Sequence, residues 1–150
     1  MALSILLVAD DNVGKSTWLE SLKGLDSICN YNRINQRYVF DLRTNLGEIG
    51  INIRTDSNPN GEYDILMVLY DVTSKKSFYQ TCAMIDTVPL DRTVVLIGNK
   101  IDLPNRAISS RIAQINAELL GVKHFEMSAK SGRGALDPIP YAVSASFRLI

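Results

Sequence analysis

The sequence of 150 residues is poor in the residue types that build disulfide frameworks and metal clusters. It contains two cysteines, Cys29 and Cys82, and one histidine, His124. Two cysteines so far apart do not provide the framework of a small secreted domain or the paired ligands of a metal knuckle. Two free thiols fit a reducing compartment, so we expect a cytoplasmic or nuclear protein. We expect His124 to pack or to face solvent rather than to act as a base.

An excess of charge and a long apolar run are also lacking. Sixteen basic and sixteen acidic residues leave a formal net charge of zero, and no basic stripe indicates a nucleic-acid partner. The apolar run at residues 4–8 is far shorter than the ~20 residues that span a bilayer. Residues 147–150 contain no cysteine, so we expect no prenyl membrane anchor. The length predicts one globular domain, residues 1–150, that buries roughly 68–70% of its unfolded surface.

What the sequence does contain is a glycine-lysine-serine motif directly after that apolar run. Residues 9–16 read A-D-D-N-V-G-K-S, the order of strand, phosphate loop and helix. Such a loop surrounds phosphates with backbone N–H groups, a lysine reaches the terminal phosphates, and a hydroxyl binds Mg²⁺. The candidate phosphate-binding residues are Asn12, Val13, Gly14, Lys15, Ser16 and Thr17, and Ser16 is the candidate metal ligand.

Two further motifs follow apolar runs. Residues 99–102 read N-K-I-D after the run 93–98, and residues 128–130 read S-A-K after 125–127. Three motifs in this order and spacing resemble the small GTPases of the Ras superfamily over essentially the whole chain. The resemblance implies a P-loop G domain that binds GTP or GDP with Mg²⁺.

The resemblance also implies a role for each residue of the base-binding motifs. Asp102 accepts two hydrogen bonds from the guanine edge, while Asn99 and Lys100 frame the base. Ser128, Ala129 and Lys130 close over the guanine carbonyl oxygen. Adenine presents a mismatched edge that leaves the Asp102 carboxylate unpaired, so guanine is the expected base.

The hydrophobic pattern predicts an α/β fold with a mostly parallel sheet, one antiparallel edge hairpin and helices on both faces. Apolar and polar side chains alternate at 38–43 and 49–54, which predicts the two strands of the hairpin, with its turn at 45–47. The preceding segment, up to Gln36, is polar and is expected to be irregular. The run 64–70 predicts a central strand that is buried on both faces. Helices are predicted at about 16–22, 76–85, 109–120 with Gly121 as the stop, and 138–149.

The switch regions depart from the family pattern. The D-x-x-G motif that normally ends the third strand is replaced by T-D-S-N-P-N-G at 55–61. Asp56 is one residue late in register, which leaves open whether it approaches the metal. The connection to residue 71 is too short for a helical crossover of ~10–12 residues, so the second-switch helix is predicted to be missing. We expect this connection to return nearly straight along a strand of ~17–20 Å.

Residues needed for hydrolysis are also absent. No glutamine lies between Gln36 and Gln80 to position water, and no threonine lies between Thr17 and Thr44 to close the first switch. Asp11 stands where the family keeps a glycine in the phosphate loop, and its side chain obstructs hydrolytic geometry. GTP hydrolysis is therefore expected to be very slow or absent.

Within the superfamily the chain is most similar to the Ran branch. This likeness rests on the turn T-N-L-G at 44–47 and on D-V-T-S at 71–74, which Rab proteins share. It suggests a Ran-type or Ras-type regulator, or a transport factor, as a protein partner. The main hypothesis is a guanine-nucleotide-binding protein with impaired hydrolysis and switching. The alternative is a nucleotide-free pseudo-GTPase that acts as an interaction module, and no residue supports a third hypothesis, an active GTPase with an unconventional catalytic residue.

Overall fold

The structure is a computed structural model, and it describes residues 2–56, 62–89 and 91–147. Seven strands and four helices lie within these ranges. The strands are β1 Ala2–Ala9, β2 Ile28–Ile34, β3 Arg37–Thr44, β4 Gly47–Arg54, β5 Ile65–Asp71, β6 Thr93–Asn99 and β7 Lys123–Glu126. The helices are α1 Lys15–Leu22, α2 Lys75–Asp86, α3 Ser110–Leu120 and α4 Pro138–Phe147.

The strands form one sheet in the order β2-β3-β4-β1-β5-β6-β7. β1 pairs in parallel with β4 and β5, and β6 pairs in parallel with β5 and β7. β3 pairs antiparallel with β2 and with β4. This arrangement confirms the predicted α/β class, with a mostly parallel sheet and antiparallel pairing at one edge.

Helices cover both faces of the sheet, as predicted. Neighbouring residues of β1 point to opposite faces: Ile5 belongs to a core with Trp18 of α1, while Leu6 belongs to a second core with Phe78 of α2 and Ala113 of α3. Burial on both sides explains why β5 reads as an unbroken apolar run.

The expectation of an irregular segment before Gln36 is wrong, because β2 forms there. It is an edge strand in which Ile28 is buried and the following side chains are half-buried or exposed. Its register with β3 shifts between Cys29 and Asn32. Both features weaken the alternation of polar and apolar residues that marks a half-buried strand. Pairing with β3 forms this strand where the local sequence does not predict one.

The connection between β4 and β5 spans a shorter distance than the expected return along the length of a strand. Leu6 of β1 lies opposite Arg54 in β4 and opposite Leu66 in β5, so β4 ends at the level where β5 begins. The chain therefore crosses β1 and does not travel back along a strand, and the predicted straight return is wrong. The described residues of the connection, 55–56 and 62–64, contain no helix, consistent with the predicted loss of the second-switch helix. Residues 57–61 lie outside the described ranges.

The helix boundaries agree with the sequence predictions to within one residue. α3 ends at Leu120, and Gly121, which caps it, has a left-handed φ of 72°, as the predicted stop requires. α4 begins at Pro138 as predicted, and residues 148 and 149 of the predicted helix lie outside the described ranges. None of the helices in the described part of the chain is long and apolar enough to cross a membrane.

Candidate nucleotide-binding site

The first part of the candidate site is the loop between β1 and α1. Asn12 and Gly14 adopt left-handed backbone conformations, with φ of 67° and 102°. α1 begins at Lys15, so the Lys15 side chain and the exposed Ser16 and Thr17 lie on its first turn. The N-terminus of a helix presents unpaired N–H groups and a positive dipole end, which suit a phosphate. The strand, loop and helix thus follow one another in the order that the sequence predicts.

Asn99, at the carboxyl end of β6, joins this loop to the S-A-K motif. Its Nδ2 donates a hydrogen bond to the Val13 carbonyl over 2.8 Å, and its Oδ1 accepts one from the Ala129 N–H over 2.9 Å. The residue is only 2% exposed. A Cβ on Gly14 would overlap Asn99 Nδ2, so glycine is required there for close approach as well as for its positive φ. Asn99 therefore connects all three motifs.

Lys100 makes a second connection to the phosphate loop. Its Nζ donates to the Asn12 carbonyl over 2.6 Å and forms an ion pair with Asp71 Oδ2 at 3.1 Å. Asp71 Oδ1 also accepts hydrogen bonds from the N–H and the hydroxyl of Thr73. Burial alone would raise the pKa of Asp71, but the Thr73 hydrogen bonds and the Lys100 ammonium outweigh it and hold that pKa below its usual value. Lys100 is thus fixed from two sides.

Asp102 is held by the S-A-K motif. Ser128 is 1% exposed, and its hydroxyl donates to Asp102 Oδ1 over 2.9 Å and accepts from the Ser131 N–H over 3.0 Å. A cavity of about 390 Å³ opens between the three motifs. The residues that line it are Gly14, Thr17, Asn99, Lys100, Asp102, Leu103, Ala129 and Lys130. The structure therefore brings residues from all three predicted motifs around one cavity.

A comparison with protein-family models agrees with this geometry. The Ras family model matches residues 53–144, which is more than half of the chain. The chain belongs to the Ras family. The matched range includes the N-K-I-D and S-A-K motifs but begins after the phosphate loop, so that loop is separate evidence. A small GTPase-like nucleotide-binding protein follows from the family and the fold together.

The side of the site next to α2 is rich in carboxylates. A second cavity, of about 500 Å³, lies between the phosphate loop and α2. Three carboxylates line it, from Asp10, Asp11 and Asp71, together with the amines of Lys76 and Lys100. Lys100 is paired with Asp71, so Lys76 is the amine in this cavity that is left to balance the loop carboxylates of Asp10 and Asp11.

Asp56, which the sequence left open as a metal contact, has a partner in the sheet. Its Oδ2 lies 3.4 Å from Nε of Arg54. It does not line either of the two cavities described for the site. Ser16 therefore remains the predicted metal ligand, and it lies exposed on the first turn of α1.

Sequence reasoning missed a polar network that connects β7 to β5, to α3 and to the loop after N-K-I-D. Arg106, in the loop after N-K-I-D, pairs with Glu126 of β7, and the Ser110 hydroxyl donates to the same carboxylate over 2.7 Å. His124 Nε2 shares a hydrogen bond of 2.8 Å with the Tyr70 hydroxyl, and its side chain is 4% exposed. Burial lowers the pKa of His124. His124 was expected to pack or to face solvent, and the structure shows that it packs. No sequence motif indicated the network.

Proposed function

We propose that this Ras-family protein binds GTP or GDP together with Mg²⁺, selects guanine over adenine, and hydrolyses GTP very slowly or not at all. One observation carries the proposal. Asn99 and Lys100 hold the phosphate loop, and Asn99 and Asp102 hold the S-A-K motif, through contacts that need no ligand. A site whose donors and acceptors are already placed costs little to order when the nucleotide binds.

Each residue then has a role. Lys15 and the N–H groups of the loop bind phosphates, and the Ser16 hydroxyl binds Mg²⁺, which neutralises phosphate charge when bound. Asp102 accepts from the guanine edge with the carboxylate that Ser128 orients. Adenine would leave this carboxylate facing a mismatched edge, and an unpaired charged acceptor costs more than an unmade neutral hydrogen bond. Ala129 and Lys130 close the base cavity.

Slow hydrolysis follows from the missing positioning groups. The sequence has no glutamine between Gln36 and Gln80 to orient water, and Asp56 is paired with Arg54. Asp11 adds a carboxylate close to the phosphates. At about 4 Å, repulsion between two unit charges is worth ~1 kcal/mol in water and ~4 kcal/mol at an effective dielectric of 20. This weakens nucleotide binding without abolishing it.

The first experiment identifies the bound nucleotide. Freshly purified protein is denatured, released nucleotides are separated by chromatography, and binding of labelled GTP, GDP and ATP is measured with and without Mg²⁺. We expect about one guanine nucleotide per chain and selectivity over ATP. Asp102→Asn should abolish guanine binding, while Asp86→Asn, at the exposed end of α2, serves as the matched control. Turnover at the rate of an assisted GTPase would contradict the hydrolysis part of the proposal.

The alternative, a nucleotide-free pseudo-GTPase that acts as an interaction module, is favoured by the same internal contacts. Because Lys100 already has Asp71 as a counter-ion, the site keeps its shape without phosphates. Under this alternative Asp102→Asn leaves both stability and partner binding unchanged, and no nucleotide is recovered. These outcomes separate the two functions.

A Ran-type regulator, a Ras-type regulator or a transport factor is the proposed protein partner under either function. The T-N-L-G turn behind the Ran likeness also has a local explanation. The Thr44 hydroxyl donates to the Gly47 carbonyl over 2.7 Å and accepts from the Leu46 N–H over 3.1 Å, and Gly47 has a φ of 109°. Binding of purified Ran regulators to the protein, compared with regulators of other Ras-family branches, tests the likeness.

A further inference from the structure

Helix α3 carries a stripe of exposed apolar side chains. Ile112, Ile115 and Leu119 are 46%, 45% and 82% exposed, while the opposite face buries Ala113 and Ala117 completely. Spacings of three and four residues place the exposed side chains in one row along the outer face. A row of three large apolar residues on one helix is more than the isolated exposure that is ordinary on a protein surface.

Charges of opposite sign flank this stripe on one side. Arg111 precedes Ile112 and Glu118 precedes Leu119, and both charged residues are exposed. They are seven residues apart, about two helical turns, so they lie along the same edge of the stripe. Glu118 accepts a hydrogen bond of 3.2 Å from Gln114 Nε2, and neither charge forms a salt bridge within the described part of the chain.

We propose that a second copy of this chain docks on the stripe, with the two α3 helices antiparallel about a twofold axis. In this arrangement Arg111 of each copy lies beside Glu118 of the other, so the interface contains two opposite-charge pairs beside its apolar centre. A parallel arrangement about a twofold axis would instead place the two charged edges on opposite sides of the interface, so Arg111 of one copy would not meet Glu118 of the other. An isologous contact needs one self-complementary patch, and the stripe with its two charges is such a patch.

The charge pattern argues for a second copy over a lipid surface. A helix that lies on a membrane carries lysines and arginines along its polar face, whereas the Arg111 and Glu118 charges cancel. The contact rests on one pair of 11-residue helices and is smaller than the ~1,200 Å² of a standard interface. We therefore expect a weak dimer, with a Kd between ~1 µM and ~1 mM. No α3 residue lines either cavity of the nucleotide site, so dimerisation leaves that site open and the inference does not depend on nucleotide binding.

Sedimentation velocity of the whole chain from about 10 µM to about 1 mM tests the proposal with two charge reversals. Arg111→Glu and Glu118→Arg should each raise the dimer Kd about tenfold or more, because each places like charges together. An equimolar mixture of the two variants should restore association as a heterodimer, and the double variant R111E/E118R should restore the homodimer. Leu119→Ser should also weaken association, and Lys75→Glu on α2 is the matched charge control.

Circular dichroism of each variant checks that it is folded, and all of the substituted side chains are exposed. A wild-type chain that stays monomeric at about 1 mM would overturn the proposal. It would also be overturned if the single charge reversals associated as tightly as the wild type, or if their mixture failed to restore association. Weakening by each single reversal, together with recovery in the double variant, identifies antiparallel α3 pairing, because that geometry sets Arg111 of one copy against Glu118 of the other.

Discussion

Replacing Asn99 should destabilise the protein more than its small side chain suggests. Asn99 is 2% exposed and satisfies two backbone groups, the Val13 carbonyl at 2.8 Å and the Ala129 N–H at 2.9 Å. In Asn99→Ala both backbone groups lose their partner. A buried polar group left unpaired costs about 1–3 kcal/mol, so the two together cost about 2–6 kcal/mol. That is a large part of a typical stability of about 5–15 kcal/mol.

The assay is equilibrium unfolding in urea without added nucleotide, followed by circular dichroism. Asn99→Ala should lower the denaturation midpoint while the slope stays unchanged, since the change affects stability and not the surface exposed on unfolding. Asn99→Asp separates the two contacts, because it keeps an acceptor for the Ala129 N–H but places a carboxylate oxygen against the Val13 carbonyl. We expect it to be at least as destabilising as alanine, because the new charge is buried.

Asn105→Ala is the matched control, since Asn105 is exposed in the loop between β6 and α3 and its loss should change stability by no more than about 0.5 kcal/mol. A loss below about 1 kcal/mol for Asn99→Ala would refute the reasoning. It would mean that water or a rearranged loop satisfies both backbone groups, and that Asn99 does not hold the three motifs together.

Three further predictions concern other contacts. Lys100→Met should weaken guanine nucleotide binding in a filter assay, because it leaves the Asp71 carboxylate without its counter-ion. Adding Asp71→Asn removes that charge and should recover part of the lost affinity. No recovery would contradict the ion pair. Burial lowers the pKa of His124, so the neutral imidazole stabilises the fold fully above the unfolded pKa near 6.5 and progressively less as the pH drops below it. His124→Gln should therefore make the melting temperature depend less on pH between pH 7 and 5. Trp18→Phe removes the indole donor that bonds the Ala135 carbonyl at 2.7 Å and should cost about 1–3 kcal/mol in urea unfolding; a cost near zero would show that this carbonyl finds another donor.

The fold was predictable from sequence where burial imposes a pattern. β5 and β6 are buried on both faces and read as unbroken apolar runs, while β3 and β4 alternate. β2 was not predictable, because an edge strand with a register shift buries too few side chains to alternate. The relative register of β4, β1 and β5, which brings the end of β4 level with the start of β5, could not be predicted from the sequence either. It depends on which residues of the three strands lie side by side.

In the candidate site, too, the local features were predictable and the contacts between distant residues were not. Its motifs are local because each lies in the loop after a strand, so residue types and spacing were enough to indicate Lys15, Asn99, Asp102 and Ser128. The contacts between the motifs are not local, since Asp71 reaches Lys100 only because β5 and β6 are neighbours in the sheet. The Asp71 to Lys100 pair also has a consequence for the function. A lysine that already has a counter-ion holds the phosphate loop whether or not phosphate is bound, so the contact between the N-K-I-D motif and that loop does not require a nucleotide.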